Sequence, residues 1–401
     1  MKKRVVVAMS GGVDSSIAAY LLKEQGYEVT GLFMSLGTCL EKLAPKRKAC
    51  CSTYDAQDAA KVADLLDIKF SVLDFKSEFE RLINYFCSEY DKGRTPNPCI
   101  RCNQYLKFGK LLEYADKLGA DYIATGHYAR VVPSLSVILS PQGEESHRYL
   151  LKKGIDQSKD QSYVLFPLVQ KQLSRIIFPL GELTKIQVRQ MAQKIDLPVK
   201  DKLESQDVCF VPGNDYRTLI KERLPEHLKE GNVVDMKGKV IGRHQGYQLF
   251  TIGQRHGLGI ALGKPAYVTK IIPETNTVIL GAKEDLYKTT FLADEVNWIA
   301  LPEDKIKSTK TLEADVKIRY LHKQVKAMIN IIDPVRSEHI RDNHPASAGL
   351  KSRTSDASNG VDDNLVRVEF TQAQPSITPG QAAVFYQGDE VIGGGWIKEV
   401  L

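Results

Sequence analysis

Six residues near the amino terminus, Ser10-Gly11-Gly12-Val13-Asp14-Ser15, put two glycines, two hydroxyls and one carboxylate into a single short loop. Glycine has no Cβ, so the backbone amides of such a loop can close on an anion. Val5, Val6 and Val7 precede it as a β-branched run suited to a strand buried on both faces. Ile17, Ala18, Leu21 and Leu22 follow at helical spacing, with Ser15 or Ser16 placed to cap that helix. Strand, glycine turn and helix N-terminus together predict a phosphate site lined by Ala8, Met9, Ser10, Gly11, Gly12, Val13, Asp14 and Ser15. The loop lacks the lysine of GxxxxGK[ST] and the spacing of GxGxxG. A bare carboxylate repels phosphate, so Asp14 is expected to hold Mg²⁺ or to fix the turn. The plainer reading is a βα turn that uses its glycines for geometry alone.

The second group of interest is sulfur. Cys99 and Cys102 form a CxxC within RTPNPCIRCNQYLKFGKLL, where the prolines force an extended approach and a helix should begin near Asn103. The dipole of that helix and Arg101 should favour the thiolate of Cys102. A lone CxxC can bind zinc, run redox chemistry or do neither, and no second CxxC or HxxxH completes a set of four ligands. Cys209 stands alone between Val208 and Phe210, and its spacing by itself reads as a buried apolar cysteine. Cys39, Cys50 and Cys51 show no metal spacing.

Alternating strands and helices must position these groups. The pattern predicts a strand over Glu28–Ser35, a helix over 55–66, a strand over 70–73, a helix over 78–90 and a strand over 121–124. That last strand ends at Thr125-Gly126-His127, on the sheet edge where open α/β folds bind ligands, and Gly126 could let a nucleotide pass close. A charged turn within a hairpin over 147–166 and a helix over 184–195 come next. GYQLFTIGQRHGLG then joins aromatic to basic residues, and alternating strands beyond 283 read as a small barrel. The polar stretch 334–364 has no sustained period and reads as an insertion. With 401 residues, 43% hydrophobic and 26% charged, the chain is expected to fold as two or three soluble domains. No apolar run reaches membrane-spanning length, and a strand begins almost at once, so a cytoplasmic protein is expected. Seven cysteines without an export signal suit thiols better than structural disulfides, and a net charge of +6 permits a polyanionic partner without demanding one.

SGGVDS resembles the PP-loop of the N-type ATP pyrophosphatases. Moreover SGGVDSS, GRTPNPCIRCN, ATGHYAR, KDQSY and ESQDVCF occur in the order found in the bacterial tRNA-specific 2-thiouridylase (MnmA) family, over essentially the whole chain. The resemblance implies an α/β parallel-sheet adenine nucleotide alpha hydrolase-like (PP-loop) catalytic domain over 1–211. It further implies a small mixed tRNA-binding domain over 212–282 and a C-terminal β-barrel over 283–401. ATP and Mg²⁺ are the implied cofactors, with Met34 and Gly126 joining the loop around the nucleotide. Cys102 matches the family's catalytic thiol and Cys209 its persulfide carrier. Asn97, Pro98 and Cys99 match the string that lies against the target uridine, although many members have aspartate where this chain has Cys99. Lys159, Asp160 and Gln161, together with Arg319 and Tyr320, match segments that contact tRNA. The implied activity is ATP-dependent 2-thiolation of the wobble uridine in tRNAs for lysine, glutamate and glutamine. Sulfur would arrive from a cysteine desulfurase through carrier proteins, and a monomer is expected. Three thiols also leave room for an iron-sulfur cluster on Cys99, Cys102 and Cys209. A PP-loop ligase acting on a small metabolite, or a non-catalytic RNA-binding protein with a structural metal, are the other readings.

Overall fold

A computed structural model describes residues 2–36, 53–139, 145–203, 208–211, 215–260, 263, 265–332 and 365–401. Cys39, Cys50, Cys51 and the polar stretch 334–364 lie outside the described residues. The chain divides into two compact units, one comprising 1–90, 97–227 and 389–391, the other 91–96, 228–388 and 392–401.

The first unit is built on a parallel sheet. Its strands are β1 (Arg4–Ala8), β2 (Glu28–Ser35), β3 (Lys69–Asp74), β4 (Tyr122–Ala124) and, after a hairpin of β5 (Ala129–Leu139) and β6 (Glu145–Lys153), the short β7 (Ile176–Ile177). They lie in the order β3-β2-β1-β4-β7, every neighbouring pair parallel. Val5, Val6 and Val7 are all buried, as a central strand covered on both faces requires. Helix α1 (Val13–Glu24) lays Ile17, Ala18 and Leu22 against Val5, Val7 and Phe33 in one core cluster. Each of these side chains larger than alanine contributes about 1.5–3 kcal/mol by leaving water. The strand after β1 in the chain lies on one side of it, and β4 lies on the other. The order therefore reverses between β1 and β4, which makes a crevice at their carboxyl ends. The SGGVDS loop and the Thr125–His127 segment leave those two ends.

The expected hairpin over 147–166 is instead β5 paired with β6, so it starts and ends earlier in the chain. Residues 154–161 turn away from it under side-chain control. Asp160 Oδ1 accepts from the N–H groups of Gly154 and Ser162, so the polarity of that stretch serves a turn and not a strand. Helix Lys185–Lys194 lies inside the expected 184–195, with Thr184 as its N-cap and Gln187 completing a capping box.

The second unit holds two sheets. β8 (Gly231–Asp235), β9 (Val240–His244), β10 (Tyr267–Ile272) and β11 (Thr277–Gly281) form a mixed sheet in the order β10-β11-β8-β9. β12 (Tyr287–Trp298), β13 (Thr311–Lys317), β14 (Val325–Ile332), β15 (Leu365–Pro375), β16 (Ala382–Gln387) and β17 (Glu390–Val400) form a barrel in the order β12-β15-β14-β13-β16-β17, which closes where β12 pairs with β17. In β15, Val366, Val368 and Phe370 are buried while Arg367 and Glu369 are exposed, the period of two expected for a wall with one inner face. Phe291, Val316, Ile329 and Phe385 meet these residues in the barrel core. β13 stops at Lys317, and Arg319 and Tyr320 stand in the turn beyond it.

Candidate active site

At the end of β1 the chain makes a tight, internally bonded loop. Gly11 has φ +70°, a left-handed conformation, and a Cβ there would collide with the carbonyl oxygen of Asp55. The helix that follows is capped differently from the sequence expectation. Gly12 is the N-cap and supplies no side chain. Ser15 and Ser16 already lie within the helix and donate their hydroxyls back to the Gly12 carbonyl, at 3.2 and 2.8 Å. Ser15 Oγ also accepts from the Ser10 N–H at 3.1 Å, which draws the loop into a ring. Met9, expected at the nucleotide, turns its side chain into the core, where it lies against Gly31. Its backbone N–H is spent on the Leu32 carbonyl at 2.8 Å, so Met9 offers the loop chiefly its carbonyl. Val13 is buried, and Ala8 and Asp14 are half-buried.

Asp14 is the electrostatic centre of this loop. Both of its carboxylate oxygens receive the Lys185 ammonium, at 2.7 and 2.8 Å, and Oδ1 also accepts from the Tyr128 hydroxyl at 2.8 Å. The carboxylate thus fixes the turn, one of the two roles expected for it. Its chemistry also suits Mg²⁺, a hard cation that takes oxygen ligands, so Asp14 is the residue that would hold that ion. Gly126 meets the loop directly, since a Cβ on it would lie 2.8 Å from both the Asp14 carbonyl carbon and the Ser15 nitrogen. Met34 sits near the end of β2, paired with Leu73, on the carboxyl edge of the same sheet.

Two lysines that sequence reasoning missed complete the surroundings. Lys185 comes from the N-terminus of helix Lys185–Lys194. Lys202 donates to the Gly11 carbonyl at 2.9 Å, Asp55 Oδ1 at 2.6 Å and Asp58 Oδ2 at 2.8 Å. Burial works against its charge, but the Asp55 and Asp58 carboxylates prevail and hold the Lys202 pKa above the ordinary lysine value. Both reach the loop from more than 170 positions away, and no local pattern marks them.

The CxxC segment is a composite helix. Pro98–Arg101 forms one turn with Asn97 as N-cap, its Oδ1 accepting from the Ile100 N–H at 3.4 Å. The chain then widens into a π-helix over Cys102–Lys110 before returning to α geometry over Leu111–Lys117, where the sequence predicted a regular helix from Asn103. Gln172 Nε2 donates to the Phe108 carbonyl at 2.8 Å, serving an acceptor within the widened stretch. π-Helical geometry is rare and is found frequently at functional sites. Cys99 is exposed and Cys102 is half-buried. Arg101 does not activate Cys102 as expected. Its guanidinium stacks over Tyr85 and Tyr105, 5.4 and 5.8 Å from the ring centroids, and bonds to Gln104 Oε1 at 2.9 Å. Burial pushes the Cys102 thiol pKa up, and Lys107 opposes that rise.

Cys209 is half-buried, on a turn that is anchored by the next residue. Phe210 is buried with its ring edge-on to Phe79 and Phe86, at 5.5 and 5.2 Å. The apolar burial anticipated for Cys209 therefore falls to its neighbour. Cys99, Cys102 and Cys209 are not joined in disulfides. Among the described residues no three His, Cys, Asp or Glu side chains come together to hold a metal ion, so these thiols are not gathered as cluster ligands.

The residues matched to tRNA contact have partners of their own. Gln161 Oε1 accepts from the Tyr128 N–H at 3.0 Å and its own N–H donates to the Tyr128 carbonyl at 2.9 Å. Asp160 Oδ2 takes the Ser162 hydroxyl at 2.9 Å, and the half-buried Lys159 closes a turn by donating its N–H to the Asp156 carbonyl. In the second unit Arg319 donates to the carbonyls of Pro375 and Ser376, and the Lys317 ammonium lies 5.8 Å from the Tyr320 ring centroid.

Comparison with known proteins decides the family. A profile described as "tRNA methyl transferase HUP domain" matches residues 3–213, one described as "tRNA methyl transferase PRC-barrel domain" matches 217–282, and one described as "Aminomethyltransferase beta-barrel domain" matches 351–397. A protein named tRNA-specific 2-thiouridylase MnmA from Carboxydothermus hydrogenoformans is 46% identical over 402 residues, covering 100% of this chain and 99% of that one. The chain belongs to the tRNA-specific 2-thiouridylase family. A second member, from Clostridium perfringens, is 42% identical over 401 residues, again covering 100% of this chain and 99% of its own. Among solved structures, one titled as a 4-thiouridine synthetase–RNA complex with bound ATP superimposes with a TM-score of 0.33 at 14% identity, over 56% of this chain and 51% of that one, which is too loose to bear on function. The family carries a PP-loop sheet and a C-terminal barrel, and both are present here. Among the described residues no helix is long and apolar enough to cross a membrane.

Proposed function

We propose that this protein thiolates the C2 position of the wobble uridine in tRNAs of the lysine, glutamate and glutamine type. The observation that carries the reading is the joint presence of a ring-closed SGGVDS loop at the β1/β4 crevice and two cysteines outside any disulfide, Cys102 and Cys209, in the same compact unit. Two of the profile descriptions speak of methyl transfer, whereas the relatives' names speak of thiolation.

ATP would lie with its phosphates on the loop backbone of Ala8 to Ser15, with Gly126 and Met34 beside the nucleoside. The uridine C2 oxygen attacks the α-phosphorus, and pyrophosphate leaves with the electrons of the broken P–O bond. Mg²⁺, when bound at Asp14, offsets charge on the leaving group. The terminal sulfur of a Cys209 persulfide then attacks C2, and AMP departs with the oxygen. Cys102, as thiolate, attacks the inner sulfur of Cys209. The S–S bond breaks toward the nucleoside, leaving 2-thiouridine and a Cys102–Cys209 disulfide that an external thiol must reduce.

The target base must be splayed from the anticodon loop to be reached. Asn97, Pro98 and Cys99 are assigned to that base, and Lys159, Asp160, Gln161, Arg319 and Tyr320 to the surrounding RNA. Residues 1–211 form the catalytic domain on this reading, 212–282 and 283–401 hold the tRNA, a cysteine desulfurase and carrier proteins supply sulfur, and a cytoplasmic monomer does the work. The iron-sulfur alternative is not favoured, because Cys99, Cys102 and Cys209 do not assemble a ligand set.

Incubating the protein with ATP, a persulfide donor and unmodified tRNA should yield 2-thiouridine, AMP and pyrophosphate together. AMP formed without thiolated nucleoside, on addition of a small metabolite in place of tRNA, would favour the ligase reading and end this one.

A further inference from the structure

The glycine loop has a deficit that the rest of the fold corrects. From Met9 to Ser16 the only charged side chain is Asp14, yet the expected ligand is a polyphosphate. Helix dipole and amides supply partial positive charge, while the one full charge on the loop has the wrong sign. Lys185 reverses that balance. Its side chain is 11% exposed and its ammonium lies on the Asp14 carboxylate, against 32% exposure for Asp14 itself. The lysine is thus sunk into the wall, with its charged end directed at the loop.

Its position is over-determined. Lys185 is the first residue of its helix, whose N-cap Thr184 is bonded to Gln187 in both directions. The Lys185 N–H donates to Asp156 Oδ2 at 2.9 Å. The Asp156 carboxyl pKa lies below the usual carboxylate value, first because it accepts that N–H and then because it accepts from Ser158, so the brace stays ionised. Beside it, Tyr128 shares Asp14 Oδ1 and has its own backbone held by Gln161. Two distant segments, 156–161 and 184–187, therefore converge to keep one ammonium at the mouth of the loop.

We infer that Lys185 is the polyphosphate ligand this loop lacks, delivered from a remote helix in place of the in-loop lysine of GxxxxGK[ST]. This rests on the reading of the loop as an ATP site. An ammonium has three donors on a rotatable stem, so it can turn from Asp14 to a phosphate oxygen without its helix moving. The plainer role is neutralisation of Asp14 alone.

Calorimetric titration with ATP and with adenosine separates these roles, using Asp14→Asn and Asp14→Asn/Lys185→Met so that no variant strands the Asp14 carboxylate without its cation. A phosphate ligand predicts that the double variant binds ATP about 10–100-fold more weakly than Asp14→Asn, the range for a hydrogen bond to a charged group. Adenosine binding should be the same in both, and Asp14→Asn/Lys185→Arg should recover part of the ATP affinity. Equal ATP affinity in Asp14→Asn and Asp14→Asn/Lys185→Met would overturn the inference and leave the proposed function standing. A wild-type protein that binds no ATP would overturn both.

Discussion

Lys202 and Gly11, 191 positions apart in the chain, meet at 2.9 Å through an ammonium and a carbonyl oxygen. The same ammonium holds Asp55, whose side chain is 6% exposed, so the glycine loop is tied to the start of helix Thr53–Leu65 by a largely buried ion pair. Replacing Lys202 by Met takes the ammonium away from the buried Asp55. The expected loss is up to about 3–5 kcal/mol of unfolding free energy, the cost of breaking a buried ion pair from one side. Chemical denaturation of Lys202→Met and of Lys202→Met/Asp55→Asn measures it, and the second substitution should recover much of the loss.

Gly11→Ala should damage the loop for two additive reasons. Its φ of +70° is strained for any residue with a Cβ, and that Cβ would run into the Asp55 backbone. Gly126→Ala meets the Asp14 and Ser15 backbone at 2.8 Å and should act through the loop as well. Both variants should lose ATP affinity in a binding titration, with Gly11→Ala also losing about 1–3 kcal/mol of stability.

The His127 ring is buried, 2.6 Å from the Thr125 hydroxyl, and packs against Phe108 and Phe178. Burial, and secondarily the charge on Lys107, places its pKa well below the ordinary 6.5. The unfolded chain takes up a proton near that ordinary value while the folded chain does not. Stability present above it is therefore lost as pH falls, by about 1.4 kcal/mol per pH unit until the folded value is reached. Thermal unfolding of the native protein between pH 7 and 5 should show this slope, and His127→Gln should flatten it.

Cys102 should be a slow thiol in the resting protein. Its pKa is raised, so alkylation by iodoacetamide should accelerate with pH to beyond the point where an exposed thiol has levelled off. Lys107→Ala should slow it further. Cys87, pushed up to about 11 by burial, gives an internal reference on the same protein.

These results also mark what the residues alone disclose. The SGGVDS element was legible because strand, glycine turn and helix are consecutive, and three buried valines announce a central strand. The barrel was legible from the two-residue period of segments such as Leu365–Pro375. The capping of α1 was not, since serines at either N-cap or first-turn positions satisfy the same pattern, and only coordinates show Ser15 and Ser16 donating back to Gly12. The π-helix at Cys102 was hidden for a related reason. Gln172, which serves the Phe108 carbonyl within it, stands 64 positions away in the chain. Lys185 and Lys202 lay beyond reach because their meaning is entirely tertiary.

The central claim is that sulfur travels through Cys209, and a single-turnover transfer tests it most directly. Protein loaded with labelled persulfide is freed of donor, mixed with ATP and unmodified tRNA, and divided into peptides and nucleosides. The label should leave the peptide that contains Cys209 and appear in 2-thiouridine, with a Cys102–Cys209 disulfide left behind. Thiolation at the wild-type level by Cys209→Ala, or label that stays on the protein while 2-thiouridine accumulates, would contradict the account.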